Sequence, residues 1–144
     1  MIIFQTIISF IACLFFSVIL YVPKKELFYC GIAGGVSWFV YCYFNTMLNN
    51  SVIATFLAAI VVTVVSRFFS HIRRNPSTIF LIPGILPLVP GAGMYYTMTA
   101  ILEGNIMESY YQAITTFKLA GVVAIGIIIV LSLPYKFFNF IKLK

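Results

Sequence analysis

Apolar residues run along this chain in long blocks, and the polar positions between them are few and clustered. Blocks covering roughly 2–22, 28–45, 51–71, 78–102 and 112–133 each reach or approach the length of about 18 apolar residues that marks a membrane-spanning helix. The breaks between them are marked by residues that stop helices. Pro23 follows the first block, Asn75-Pro76-Ser77-Thr78 separates the third from the fourth, and Pro134 follows the fifth. Asn45-Thr46-Met47-Leu48-Asn49-Asn50-Ser51 forms a polar turn between the second and third. The pattern predicts an all-α, polytopic membrane helix bundle of about five spans, with residues 1–144 forming a single transmembrane domain.

The fourth block departs from a plain anchor. It contains Ile82-Pro83-Gly84-Ile85-Leu86-Pro87-Leu88-Val89-Pro90-Gly91-Ala92-Gly93, three prolines and three glycines at a depth where a plain anchor would have leucine. Each proline lacks a backbone donor and crowds the carbonyl four residues earlier, which predicts stranded carbonyls at Ile79, Pro83 and Leu86. Non-helical backbone at bilayer depth is tolerated only where protein or a water-filled cavity surrounds it, the arrangement transporters use for substrates and ions. The alternative is a packing kink whose freed groups are met by neighbouring helices.

Composition agrees with the pattern: 62% of residues are hydrophobic and 8% charged, with a mean hydropathy of +1.09, against about 25% charged in soluble domains. The first block lacks the basic flank and small-residue cleavage site of a secretory signal, so it is expected to remain as a helix. The net charge of +6 sorts by loop. Lys24 and Lys25 lie in the first loop, His71, Arg73 and Arg74 in the third, and Lys136, Lys142 and Lys144 in the tail, whereas the fourth loop holds only Glu103 and Glu108. The positive-inside rule then predicts an outside N-terminus and a cytoplasmic C-terminus. The basic excess is accounted for by topology and phospholipid contact, and no nucleic-acid partner is expected.

Within the broken block two opposite features lie close together. Carbonyls before the break can receive a cation or an ammonium, and a helix restarting near Gly91-Ala92-Gly93-Met94 directs free N–H groups and a positive dipole end at a carboxylate. Pro83, Gly84, Pro87, Pro90, Gly91 and Gly93 are therefore the candidate substrate-binding backbone. Tyr96 and Thr97 are the hydroxyl candidates for its lining. Tyr110 and Tyr111 read as interface anchors.

Lys118, a charge inside the fifth block, is a further binding candidate; it can meet a substrate carboxylate, pair with Glu103 or Glu108, or snorkel to headgroups. Glu103 is the candidate for proton coupling, with a solvated loop acid as the alternative. Arg67 and His71 read as interface anchors or, alternatively, as a capture point for anionic substrate. Cys13, Cys30 and Cys42 lie in apolar blocks without metal-type spacing; Cys30 and Cys42 would be about 18 Å apart on one helix, so buried small hydrophobes are expected.

Small residues at Gly31 and Gly35, and at Ala120, Gly121 and Ala124, predict close helix packing in the bundle or against a second subunit. No nucleophile–base pair or metal cluster is evident, which argues against an enzyme and gives no reason to expect a cofactor or metal.

The run from Ile82 to Tyr95, with its Pro-Gly, Pro-Leu-Val-Pro-Gly and Gly-Met-Tyr succession, resembles the signature of the threonine/serine exporter family, specifically its small, membrane-only component. Chain length, span number and the motif's place in the fourth span resemble that family too. The resemblance implies a subunit of a secondary-active exporter in a bacterial cytoplasmic membrane, working with a larger partner subunit of the same family. It also implies export of threonine and serine or, in some split members, of dicarboxylates such as succinate. Two other readings stand beside it: a non-transporting membrane scaffold for a partner, and, more weakly, an intramembrane enzyme acting on lipid. A homo-oligomer is compatible with all of these.

Overall fold

The computed structural model describes residues 1–133, and Pro134 and the tail lysines lie outside the described residues. The described residues are all-helical: α1 (Ile2–Ile19), α2 (Leu27–Leu48), α3 (Ser51–Arg73), α4 (Thr78–Ile85), a single 3-10 turn (Leu86–Leu88), α5 (Gly91–Leu102) and α6 (Ile106–Ser132). Four of these, α1, α2, α3 and α6, are long and apolar enough to cross a membrane, and α4 with α5 makes a fifth if the pair counts as one broken span. The two halves bend by 49° at the break. That angle is far from a reversal, so α5 carries on in the general direction of α4.

Local chemistry sets the ends. Asn50 accepts hydrogen bonds through its side chain from the N–H groups of Val52 and Ile53 and so starts α3. Asn49 and Arg74 end α2 and α3 in left-handed conformation, with φ of 51° and 54°. Asn105 caps α6 by accepting from the Glu108 N–H. This cap starts α6 at Ile106, six residues ahead of the expected position, because the polar stretch before residue 112 is the first turns of the helix.

Packing runs α1 on α2, α2 on α3, and α3 on α6, with α4 lying against both α2 and α3. By contrast, α5 packs chiefly on α6. The centre is built from small side chains, Ala33, Ala58 and Ala59 with Val62, Leu81, Leu88 and Val123. Without a hydrophobic drive between helices in lipid, such small residues are what allow close backbone approach.

Gly31, Gly34 and Gly35 form the seam with α1, where a Cβ at Gly34 would collide with the Cys13 side chain. Gly84 sits against Val62 and Ala33, and Gly126 against Ala59. The small residues expected to pack on α6 are placed differently, since a Cβ at Gly121 would meet open space. Gly126 makes the close contact instead. Gly34→Ala is expected to lower stability by about 1–3 kcal/mol, the usual range for overpacking a filled seam, read as the thermal unfolding midpoint in detergent. Gly121→Ala should not lower that midpoint, since its Cβ meets open space and alanine favours the helix.

Candidate functional site

The proline-glycine break keeps its backbone satisfied with three different donors. Ile79 O accepts from the Cys30 thiol on α2 at 3.4 Å, Pro83 O from the Leu86 N–H, and Leu86 O from the Val89 N–H at 3.2 Å. None of the three carbonyls is stranded, which corrects the simple expectation. The chain tightens into a 3-10 turn and borrows a thiol, both of which are physical answers to a missing proline N–H.

Helix α5 then restarts at Gly91 with no side-chain cap. The first N–H groups of a helix have no partner within it, and here they belong to Gly91, Ala92 and Gly93. The Gly91 N–H is turned back onto Val89 O at 2.7 Å. That leaves the Ala92 and Gly93 donors and the positive end of the α5 dipole at the break.

A cavity of about 440 Å³ opens at this point, within the range of about 300–1,000 Å³ typical of small-molecule sites. Pro87 through Gly93 and Tyr96 form one wall; Trp38 and Tyr41 of α2, Thr55 of α3, and Gln112, Thr115, Thr116 and Leu119 of α6 form the others. No lining side chain is charged. Gln112, Thr115, Thr116 and Leu119 fall at helical spacing, so α6 offers the cavity one face, mostly polar. Gly93 permits this arrangement, since its missing side chain leaves room for the Thr116 hydroxyl.

The sequence candidates divide between this cavity and elsewhere. Pro87, Pro90, Gly91, Gly93 and Tyr96 line it. Pro83 is fully buried and borders a separate crevice of about 250 Å³ with Leu20, Val22 and Ile82. Gly84 is a packing position against α2 and α3. Thr97 returns its hydroxyl to Gly93 O at 2.7 Å and faces an apolar crevice between α5 and α6. Lys118 is exposed on the outside of α6, and among the described residues neither it nor Glu103 or Glu108 forms an ion pair. Glu103 is an exposed residue at the end of α5. The three cysteines are buried, as expected of small hydrophobes.

Two arrangements escaped the sequence reading. Glu26, 4% exposed, receives two hydrogen bonds from Arg73 Nε, at 2.9 and 3.2 Å, and one from Nη2 at 2.8 Å. Arg67 is buried, and it donates from Nη1 to Leu133 O at 2.7 Å and from Nη2 to Leu131 O at 2.8 Å. It therefore clamps the negative end of α6, neither anchoring at the interface nor standing open to substrate. A glutamate after two lysines and an arginine inside an apolar block were the available signals, but both sets of partners lie more than forty residues away.

Comparison with known proteins adds an independent finding. A family model described as Threonine/Serine exporter, ThrE matches residues 5–133, nearly the whole chain. No solved structure matches it.

Proposed function

The chain belongs to the threonine/serine exporter family of membrane transporters, and on that premise we propose that it holds a small zwitterionic amino acid, threonine or serine, in the cavity at the break. The observation that carries this reading is the cavity's electrostatics: one positive helix end faces an uncharged lining. One carboxylate finds the Ala92 and Gly93 N–H groups there. A second carboxylate would find no lysine or arginine, which favours an amino acid over a dicarboxylate. The rings of Trp38 and Tyr41 and the side-chain oxygens of Thr55, Gln112 and Thr115 suit an ammonium and a hydroxyl.

Orientation follows from charge. Lys24, Lys25, His71, Arg73 and Arg74 gather at the bundle end marked by the Glu26–Arg73 pair, whereas Glu103 and Glu108 occupy the other end. The positive-inside rule assigns the basic end to the cytoplasm, with the N-terminus outside, in a bacterial cytoplasmic membrane. The cavity lies in the outer half. Helix α5 rests chiefly on α6, which fits a larger partner subunit completing the transport unit on its free side.

The test is counterflow of labelled threonine in proteoliposomes containing this chain with the membrane partner that copurifies. Competition by serine and indifference to succinate are expected; the reverse ranking would overturn the substrate assignment. Gln112→Leu, which removes one polar wall group, is expected to raise the threonine KM about tenfold, the equivalent of one lost hydrogen bond, with kcat and expression unchanged.

A further inference from the structure

Below the cavity, toward the basic end, three helices meet through aromatic rings. Tyr29 of α2, Phe69 of α3 and Phe80 of α4 stand mutually edge-on, with centroids at 5.2 Å for Tyr29–Phe69, 5.9 Å for Phe69–Phe80 and 6.4 Å for Tyr29–Phe80. Phe80 is fully buried. The cluster sits about 14 Å from Trp38 along α2 and about 21 Å from Thr55 along α3, at 1.5 Å per residue. Between cluster and cavity lies the core of alanines and valines.

The ion pair lies directly beneath. The Arg73 guanidinium is 4.9 Å from the Tyr29 ring centre while it holds Glu26 at 2.8 Å, and its side chain is 31% exposed against 5% for the carboxylate. The guanidinium reaches water while the carboxylate is buried, so neutralising the carboxylate breaks the pair at modest cost and leaves no buried charge unpaired. Glu26 sits at the start of α2 and Arg73 at the end of α3, so the pair fixes the two helix ends that carry Tyr29 and Phe69.

Helix α4, the third contributor, is joined to α5 through the bend at the break. Its polar tie to α2 is the long thiol contact from Cys30 to Ile79 O. It is thus a short lever attached at one end to the substrate cavity and resting at the other, through Phe80, on the rings of Tyr29 and Phe69.

We propose that Tyr29, Phe69 and Phe80, latched by the Glu26–Arg73 pair, form the inner gate of the transport path, which opens when α4 swings about the Pro83–Pro90 break. This rests on the cavity being the substrate site. The structure is then the outward-facing arrangement, with the gate closed. Glu26 and Arg73 act as positioning residues that keep Tyr29 seated, and they need not touch substrate.

The test reads sidedness. Thr115→Cys places a thiol in the cavity wall, and a membrane-impermeant maleimide is added to either face of oriented vesicles carrying the complex. The parent should label from the outer face. Adding Glu26→Gln should raise labelling from the basic face about fivefold, the population shift expected on losing an ion pair whose guanidinium reaches water. Glu26→Gln combined with Arg73→Gln, which leaves no charge unpaired, should do the same and serves where Glu26→Gln alone does not fold. Unchanged sidedness in a monodisperse variant would overturn the gate and leave the cavity standing. A parent thiol that labels from neither face would overturn the cavity reading, and the gate with it.

Discussion

Gly93→Ala is expected to reduce threonine flux about tenfold or more, because a displacement of about 1 Å in a positioned binding group is enough to cost that much. The added Cβ would run into the Thr116 side chain. That side chain cannot easily turn away, since its hydroxyl donates to Gln112 O at 2.7 Å and β-branched residues are stiff at χ1. The helix must move instead. Because α5 packs chiefly on α6, the shift would carry the Ala92 and Gly93 donors away from the cavity. Two controls make the mechanism specific. Gly91→Ala should leave the packing of α5 on α6 undisturbed, as its Cβ would have nothing within 4 Å. Adding Thr116→Ala to Gly93→Ala should recover flux by restoring the space. Failure of that rescue, with the protein folded, would rule out the steric explanation.

Arg67→Leu is expected to destabilise the bundle by about 2–4 kcal/mol. Two charge-assisted hydrogen bonds contribute about 1.5–3 kcal/mol each, and relief from burying a cation offsets part of the sum. Those bonds run to Leu131 O and Leu133 O at the end of α6, beyond the reach of that helix's own donors. Arg67→Lys should fall between parent and Arg67→Leu, since a lysine cannot reproduce the fork that reaches two carbonyls. Cys13, Cys30 and Cys42 are buried, so the rate of thiol labelling across a denaturant series reports the change directly. Parent-like protection in Arg67→Leu would mean that the clamp contributes nothing net.

The bundle was legible in the sequence because lipid imposes a simple rule on it: long apolar blocks with stops between them become helices. The break was legible for an equally local reason, since proline's missing N–H acts within four residues. What surrounds the break was not. Ile79 O is met by Cys30, forty-nine residues away in sequence, and no periodicity announces such a partner.

The α6 wall of the cavity was readable in principle. Gln112, Thr115 and Thr116 are polar positions at spacings of three and four in an apolar helix, whereas Lys118 is the isolated charge in the same block. Two residues past Thr116, Lys118 is rotated by about 200° at 3.6 residues per turn. That is why it stands on the outside of the bundle. Glu26 carries no local sign of its pairing, because its partner comes forty-seven residues later. Neighbours of that kind are a property of the packed bundle alone.

The Arg67 clamp also sets an order of events at synthesis. Its acceptors follow sixty-four and sixty-six residues later, so at translation rates of 5–20 residues per second α3 waits about 3–13 s for them. Through that interval the cation must lean on headgroups or water, as long basic side chains near a helix end do. Closure of α3 against α6 is therefore withheld until the end of α6 has been synthesised.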